Sequence, residues 1–202
     1  MIKIAAIMLS PLLSICQENN LWTEADRNYL VQNLIRSREE LVKETTGLSE
    51  QQWKFKESSD RWSINEVVEH IGIWEMLLMY DITRGLRAGV VPELQMTAQA
   101  DSVPLSFIME QTVHHSAEYT KPFTYTVPMG LNDLRSNIAL FLKLRNESIQ
   151  YVKTTKEDLR RYSRPHDKSS SLHQAYIIVF GHTDRHLRQI RNIKKHPNYP
   201  KS

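Results

Sequence analysis

The sequence predicts an all-α protein built as a helical bundle. Only six glycines occur among the 202 residues, and the strongest hairpin signals, Asn-Gly and Asp-Gly, are absent from the sequence. Polar and apolar residues do not alternate strictly over any long stretch, as they would in a half-buried strand. Apolar residues instead recur every three or four positions in several segments, which is the period of one helix face.

The first elements can be placed from their capping residues. Thr23, with Asp26 three residues later, predicts the start of a first long helix, and Thr46-Gly47 predicts its end. Residues 49–53 read as a short turn of helix. The sequence Ser63-Ile64-Asn65-Glu66 is a capping box and predicts a second long helix that continues to about Gly85.

The second half of the chain begins with a poorly patterned crossover. Four prolines interrupt the stretch from Ala88 to Pro128, and one helical piece is expected inside it at about residues 106–119. A third long helix is predicted from about Leu131 to Val152, and a last one after Ser169-Ser170-Ser171. The helices predict one domain with a substantial core.

Three histidines occupy positions where helical periodicity calls for apolar core residues. His70 lies on the apolar stripe of the second long helix, and His182 and His186 lie on that of the last. Residues four apart share a helix face, so both of these rings can reach one ion that His70 approaches from a facing helix. A fourth coordination position would remain for water or substrate.

A lone histidine in such a position is more often a hydrogen-bonded core residue than a ligand. Three buried imidazoles together leave many polar groups to satisfy, and a divalent cation would satisfy one nitrogen of each. The sequence therefore predicts a metal site formed by His70, His182 and His186. Zinc is favoured as the ion, with nickel, iron and cobalt as alternatives, and no catalytic residue is identified.

The N-terminus has the pattern of a secretory signal peptide. A short positive start at residues 1–3 is followed by an apolar run from Ile4 to Ile15 and then by polar residues 17–20. The run is too short to span a bilayer, which needs about 20 residues. We expect residues 1–16 to be removed, which leaves a domain of residues 17–202 in the periplasm or outside the cell, without a transmembrane segment.

Two kinds of processing remain open at Cys16. Cleavage after Cys16 would place small residues at Ser14 and Cys16, where a signal peptidase reads the chain. Alternatively, Leu13-Ser14-Ile15-Cys16 is similar to a lipoprotein box, in which Cys16 would be acylated and anchor the protein, although Ile15 is bulky for that motif. Cys16 is the single cysteine, so the folded domain has no internal disulfide and no thiol nucleophile.

The charge distribution gives no sign of nucleic-acid binding. The formal net charge is +3, and basic residues are interspersed with acidic ones except near the end of the last helix. The basic residues at that end are Arg188, Arg191, Lys194, Lys195 and His196. They complement the negative end of the helix dipole, so this cluster needs no ligand to explain it.

Three separated elements together resemble the DinB-like superfamily of four-helix-bundle metalloproteins. They are Leu48-Ser49-Glu50-Gln51-Gln52-Trp53, then Arg61-Trp62-Ser63-Ile64 followed by Glu69-His70, and finally the stretch from Gly181 to Ile190. The resemblance implies a four-helix bundle of up-down-down-up topology with a long crossover between helices 2 and 3. It also implies that His70, His182 and His186 are the metal ligands.

The resemblance also implies a range of functions. The family includes metal-dependent thiol S-transferases, a maleylpyruvate isomerase and many members without an assigned activity. One hypothesis is a metalloenzyme that activates water or a small thiol against a small-molecule electrophile. Small thiols are mainly cytosolic, so an exported member would use another nucleophile such as water or would have no catalytic role. The alternative is a non-catalytic exported protein that binds a metal or a small ligand, and such bundles could also form homodimers.

Other charged and aromatic residues have simpler interpretations. Four charges near the ligands, Glu69, Glu75, Asp184 and Arg185, are expected to face outward because their helical phase differs from that of the histidines. His114 and His115 lie in the poorly patterned crossover and are expected to be solvated, with contact to a substrate as the alternative. His166 and His173 flank the loop before the last helix, and His173 is too far along that helix from His182 to share a metal ion. Three tryptophans are expected to pack internally, Trp53 and Trp62 at the connection between the first two long helices and Trp74 in the core.

Overall fold

The computed structural model describes residues 22–94, 98–109 and 124–201, and its regular elements in these ranges are helices. In chain order they are α1 (Glu24–Thr45), α2 (Glu50–Lys54), α3 (Ile64–Ala88), α4 (Ser102–Met109), a 3₁₀ turn (Thr124–Thr126), α5 (Leu134–Thr154) and α6 (Leu172–Lys194). The four long helices α1, α3, α5 and α6 form the bundle. The predicted all-α fold is confirmed.

The helix starts follow the capping signals of the sequence. Reciprocal capping boxes form at Thr23, Ser49, Ser63 and Ser171. Helix α5 starts at Leu134, three residues later than predicted, because Asp133 accepts a hydrogen bond from the N–H of Ser136 and fixes the first turn there. Helix α3 runs to Ala88, somewhat beyond its predicted end near Gly85.

Contacts between helix ends give the direction of each long helix. The starts of α1 and α6 meet, the starts of α3 and α5 meet, and the end of α3 meets the start of α6. The pairs that make these contacts are Trp22 with His173, Asn65 with Asn137, and Gly85 with Leu172. Helices α1 and α6 therefore point one way and α3 and α5 the other, which confirms the up-down-down-up topology.

The long crossover between α3 and α5 is attached to α6. A Cβ added at Gly181 would come within 2.8 Å of the Ile108 side chain, so α4 packs closely against α6 at that glycine. The Arg188 guanidinium donates a hydrogen bond to the Ile108 carbonyl oxygen. The helical piece expected at residues 106–119 begins earlier, at Ser102, and residues 110–123 lie outside the described ranges.

The apolar core has two parts along the bundle axis. One lies near the start of α1 and includes Leu30, Leu34, Leu78, Ile82, Val152 and Tyr176. The other lies near the end of α1 and includes Leu41, Ile64, Val67, Phe141, Leu187 and Ile190. A charged residue of α5, Arg145, is fully buried and has neighbours in both parts of the core.

Arg145 bonds to the three other long helices. Its guanidinium donates to the Leu34 carbonyl and the Ser37 hydroxyl of α1, to the Glu75 carboxylate of α3, and to the Val179 carbonyl and Thr183 hydroxyl of α6. Burial raises the pKa of Glu75, and the adjacent guanidinium opposes that rise. The expectation that Glu75 faces outward was wrong, because its charge is balanced inside the bundle by a partner 70 residues away.

Across the described ranges, none of the helices combines the length and hydropathy that a bilayer-spanning segment needs. The predicted signal peptide and Cys16 lie outside the described residues. Export and its processing therefore stay predictions.

The buried ion pair leads to a stability prediction. Glu75→Gln should lower the free energy of unfolding by about 3–5 kcal/mol, because the Arg145 charge would remain buried without a counter-ion. Arg145→Met should cost a similar amount by stranding Glu75. The double variant Glu75→Leu/Arg145→Met should recover most of this loss, since neither charge remains. Urea unfolding followed by circular dichroism measures all three free energies.

The exposed pair between Lys54 and Glu50 provides the matched control. Glu50→Gln should leave the free energy of unfolding close to that of the wild type, because both side chains are largely in solvent. Single variants of Glu75 and Arg145 that were as mild as Glu50→Gln would contradict the role given to the buried pair.

Candidate metal centre

The antiparallel packing of α3 and α6 brings the three predicted ligands together. His70 lies in the second turn of α3, and His182 and His186 lie in the middle of α6. The ring centroids are 5.1 Å apart for His70 and His182, 4.7 Å for His70 and His186, and 4.5 Å for His182 and His186. One ligand nitrogen from each ring can be chosen so that all three lie within 4.8 Å of one another.

Two hydrogen-bond acceptors orient the rings of His70 and His186. The Nδ1 atom of His70 lies 2.7 Å from the carbonyl oxygen of Thr126, and Nδ1 of His186 lies 2.8 Å from Oε1 of Gln189. Both partners are oxygens that only accept, so each Nδ1 carries a proton and donates it. The Nε2 atom of each ring is thereby left unprotonated, as in metal-binding histidines.

The spacing of the two α6 nitrogens fits a tetrahedral ion. Nε2 of His182 and Nε2 of His186 are 3.1 Å apart. Two ligands that each lie about 2.0–2.1 Å from Zn²⁺ at a tetrahedral angle are roughly 3.3 Å from one another. A cation between the two Nε2 atoms would use both lone pairs at once. The donor set of neutral imidazoles suits zinc and also nickel, iron or cobalt.

Burial keeps these imidazoles neutral. It lowers the pKa of His70 to about 4, and it lowers the pKa values of His182 and His186 well below the usual 6.5. The positive charge that the neighbouring rings would carry if protonated also lowers the pKa values of His182 and His186. His70 and His186 are almost fully buried, whereas His182 is partly exposed, so His182 is the ligand residue with the greatest access to solvent.

Glu69 holds the loop that carries the acceptor of His70. Its carboxylate accepts hydrogen bonds from the backbone N–H groups of Met129 and Gly130, and the side chain is 9% exposed. The expectation that Glu69 faces outward was wrong, because the returning crossover supplies donors that no local pattern reveals. The same loop begins just after Thr126, so Glu69 helps to fix the carbonyl that orients His70.

Two tryptophans pack against the cluster, and the sequence did not indicate this role. The Trp62 ring lies 4.8 Å from the His70 ring, and the Trp74 ring lies 5.0 Å from the His182 ring. Trp62 is buried, as expected, but Trp74 is only half-buried and lies on the more open side of the cluster. Together the indoles make the surroundings of the imidazoles apolar.

Among the residues that the structure describes, the other histidines do not join the cluster. His173 is buried at the far end of the bundle, where it accepts a hydrogen bond from the Trp22 indole and lies 3.4 Å from Asp101. His166 is largely exposed and lies 3.7 Å from Asp81. The separation of His173 from His182 is confirmed, and residues 114–115, expected to be solvated, lie outside the described ranges.

Comparison with known proteins gives one family and one similar structure. A family model described as the DinB superfamily matches residues 33–190. Among curated proteins, none matches this chain. The fold is similar to that of YfiT from Bacillus subtilis, described as a probable metal-dependent hydrolase with an unusual four-helix bundle topology. That similarity has a TM-score of 0.54 at 14% identity and covers 88% of this chain and 91% of YfiT, and it shows a shared fold.

The lowered pKa values predict how acid affects the metal-free protein. Below about pH 6.5 the unfolded chain binds protons on these histidines and the folded chain does not, so stability should fall as the pH decreases from 7 to 5. Each histidine contributes up to about 1.4 kcal/mol per pH unit. The measurement is the midpoint of thermal unfolding at several pH values in the presence of a chelator.

A variant with His70, His182 and His186 all changed to Ala should show a flatter dependence between pH 7 and 5. His166→Ala, which removes an exposed histidine, should keep the slope of the wild type. Equal slopes in the wild type and the triple variant would contradict the burial of neutral rings.

Proposed function

Because this chain belongs to the DinB superfamily, we propose that His70, His182 and His186 bind one divalent metal ion that activates water or a small thiol against a small-molecule electrophile. The observation that carries this proposal is the convergence of three imidazoles, two of which have their Nδ1 atoms committed to fixed acceptors. The description of the similar fold of YfiT as a probable metal-dependent hydrolase also supports it.

Different residues would have different roles in such a site. The three imidazoles hold the ion from one side, and partly exposed His182 marks the side on which a small molecule can enter. When bound, the ion would act as a Lewis acid and would lower the pKa of a water or thiol ligand. Trp62 and Trp74 limit the access of bulk water, which strengthens electrostatic interactions in the site.

The nucleophile depends on where the protein acts. Export by residues 1–16 remains part of the proposal, in the periplasm or outside the cell, with a lipid anchor at Cys16 as the alternative. Outside the cytosol, small thiols are scarce, so export favours water as the nucleophile.

A non-catalytic metal site is the second candidate. The near-complete burial of His70 and His186 favours it, because structural metal sites are closed to solvent. Turnover of small electrophiles that depends on added metal would support the enzyme. A metal that raises the melting temperature without exchanging small ligands would support the structural role.

The proposed site predicts the metal content of the protein. Protein spanning residues 17–202, purified without chelators, should contain about one divalent ion per chain, because the structure describes one three-histidine group. The variant with all three histidines changed to Ala should contain none, and His166→Ala should keep the ion. Elemental analysis of the three proteins measures this, and circular dichroism verifies that each is folded. An equal metal content in the wild type and the triple variant would contradict the site.

The two tryptophans beside the cluster should report the binding of a metal ion. Titration of metal-free protein with Ni²⁺ or Co²⁺ should quench tryptophan fluorescence. The reason is proximity: the Trp62 ring lies 4.8 Å from the His70 ring, and the Trp74 ring lies 5.0 Å from the His182 ring. Trp74→Phe should remove part of the quenching, whereas Trp53→Phe, in α2, should leave the quenched intensity unchanged. Quenching that persists in the triple-histidine variant would show that the ion binds elsewhere.

A further inference from the structure

Three helices present a partly exposed apolar side chain in the region of His182. These side chains are Trp74 of α3, Leu105 of α4 and Ile178 of α6. Each packs against the core near the start of α1 while part of its surface stays accessible. Apolar side chains that converge on a few polar groups are typical of small-molecule sites, and here the polar groups are the imidazoles of the cluster.

The course of α4 along α6 places Leu105 beside Ile178. Two contacts join the segment that carries α4 to α6, namely Asp101 with Gln174 and Ile108 with Gly181. Both segments advance by seven residues from the first contact to the second, so α4 runs parallel to α6. Leu105, four residues after the first contact, therefore lies level with Ile178.

Trp74 stands on the other side of Ile178 and His182. Its ring centroid lies 5.0 Å from that of His182 and 6.3 Å from that of His70. Ile178 and His182 are four residues apart and share one side of α6. That side lies between Gly181, which meets α4, and His186, which meets α3. The two residues thus form the floor of a groove that has α4 as one wall and Trp74 as the other.

We propose that the small-molecule electrophile of this site carries an aromatic ring, which lies in this groove against the Trp74 indole. The inference rests on the proposed function, because the ion bound by the histidines would hold the reacting group at one end of the groove. Aromatic pairs prefer offset-stacked or edge-to-face contacts with centroids about 4.5–7 Å apart, and the apolar side chains of Leu105 and Ile178 would cover the rest of the ring. Trp74 is then a specificity-determining residue, where the sequence predicted only packing in the core.

Ligand binding to Co²⁺-loaded protein tests this without an assay of activity. Acetohydroxamate and benzohydroxamate present the same metal-binding group and differ in the aromatic ring, and the visible absorption of bound Co²⁺ reports both. The wild type should bind benzohydroxamate about tenfold more tightly than acetohydroxamate. In Trp74→Leu this ratio of Kd values should fall about fivefold or more, because the aromatic partner is lost. The Kd of acetohydroxamate should stay within about twofold of the wild-type value, since its methyl group does not reach the indole.

Two further variants complete the design. Trp53→Leu removes another partly exposed tryptophan, in α2, and should keep the wild-type ratio. Trp74→Phe offers a smaller ring, so its ratio should lie between those of the wild type and Trp74→Leu, and it decides the question if Trp74→Leu does not bind Co²⁺. An unchanged ratio in the Trp74 variants, or equal affinities of the wild type for the two hydroxamates, would overturn this inference alone. Failure of the wild type to bind Co²⁺ would overturn the proposed function and this inference with it.

Discussion

The architecture depends on one buried guanidinium. Arg145 of α5 bonds to all three of the other long helices, and its charge is neutralised inside the bundle by Glu75. Hydrogen bonds are directional and a buried cation tolerates no missing partner, so this network permits few alternative registers of the four helices. Its hydrogen-bond partner Thr183 directly follows the candidate ligand His182 on α6. The network that fixes the packing of the helices therefore also fixes the position along the bundle axis at which His182 faces α3.

The candidate metal centre introduces polar groups into the same core. Three neutral imidazoles take up space that aliphatic side chains could fill, and each ring brings two nitrogens that need partners. Thr126 and Gln189 satisfy one nitrogen each, and the Nε2 atoms of His182 and His186 face each other at 3.1 Å. The two facing nitrogens can share one proton in the metal-free protein, and they could both bind one cation in its place. Such an arrangement is typical of residues kept for binding rather than for stability.

Sequence patterns predicted the parts of this structure that local geometry decides. The capping boxes at Ser63 and Ser171 set the phase of α3 and α6, and the phase places the histidines on inward faces. The same reasoning failed for Glu69 and Glu75, since a charged residue is placed inside only when a distant partner exists. Those partners lie about 60 and 70 residues further along the chain, beyond the reach of any helical period.

The crossover between α3 and α5 contacts the surroundings of the three histidines at both of its described ends. Its first described part packs on α6 through Ile108 against Gly181, immediately before His182 in the sequence, and its last part supplies the Thr126 carbonyl that orients His70. Both ends of the crossover therefore touch the surroundings of the same three rings. A change in how it packs would alter the orientation of His70 and the opening beside His182 together. In a bundle whose helices are held by Arg145, this surface connection can change its packing with less loss of stability than the buried helices, so it is the part of the structure best able to alter the surroundings of the three histidines.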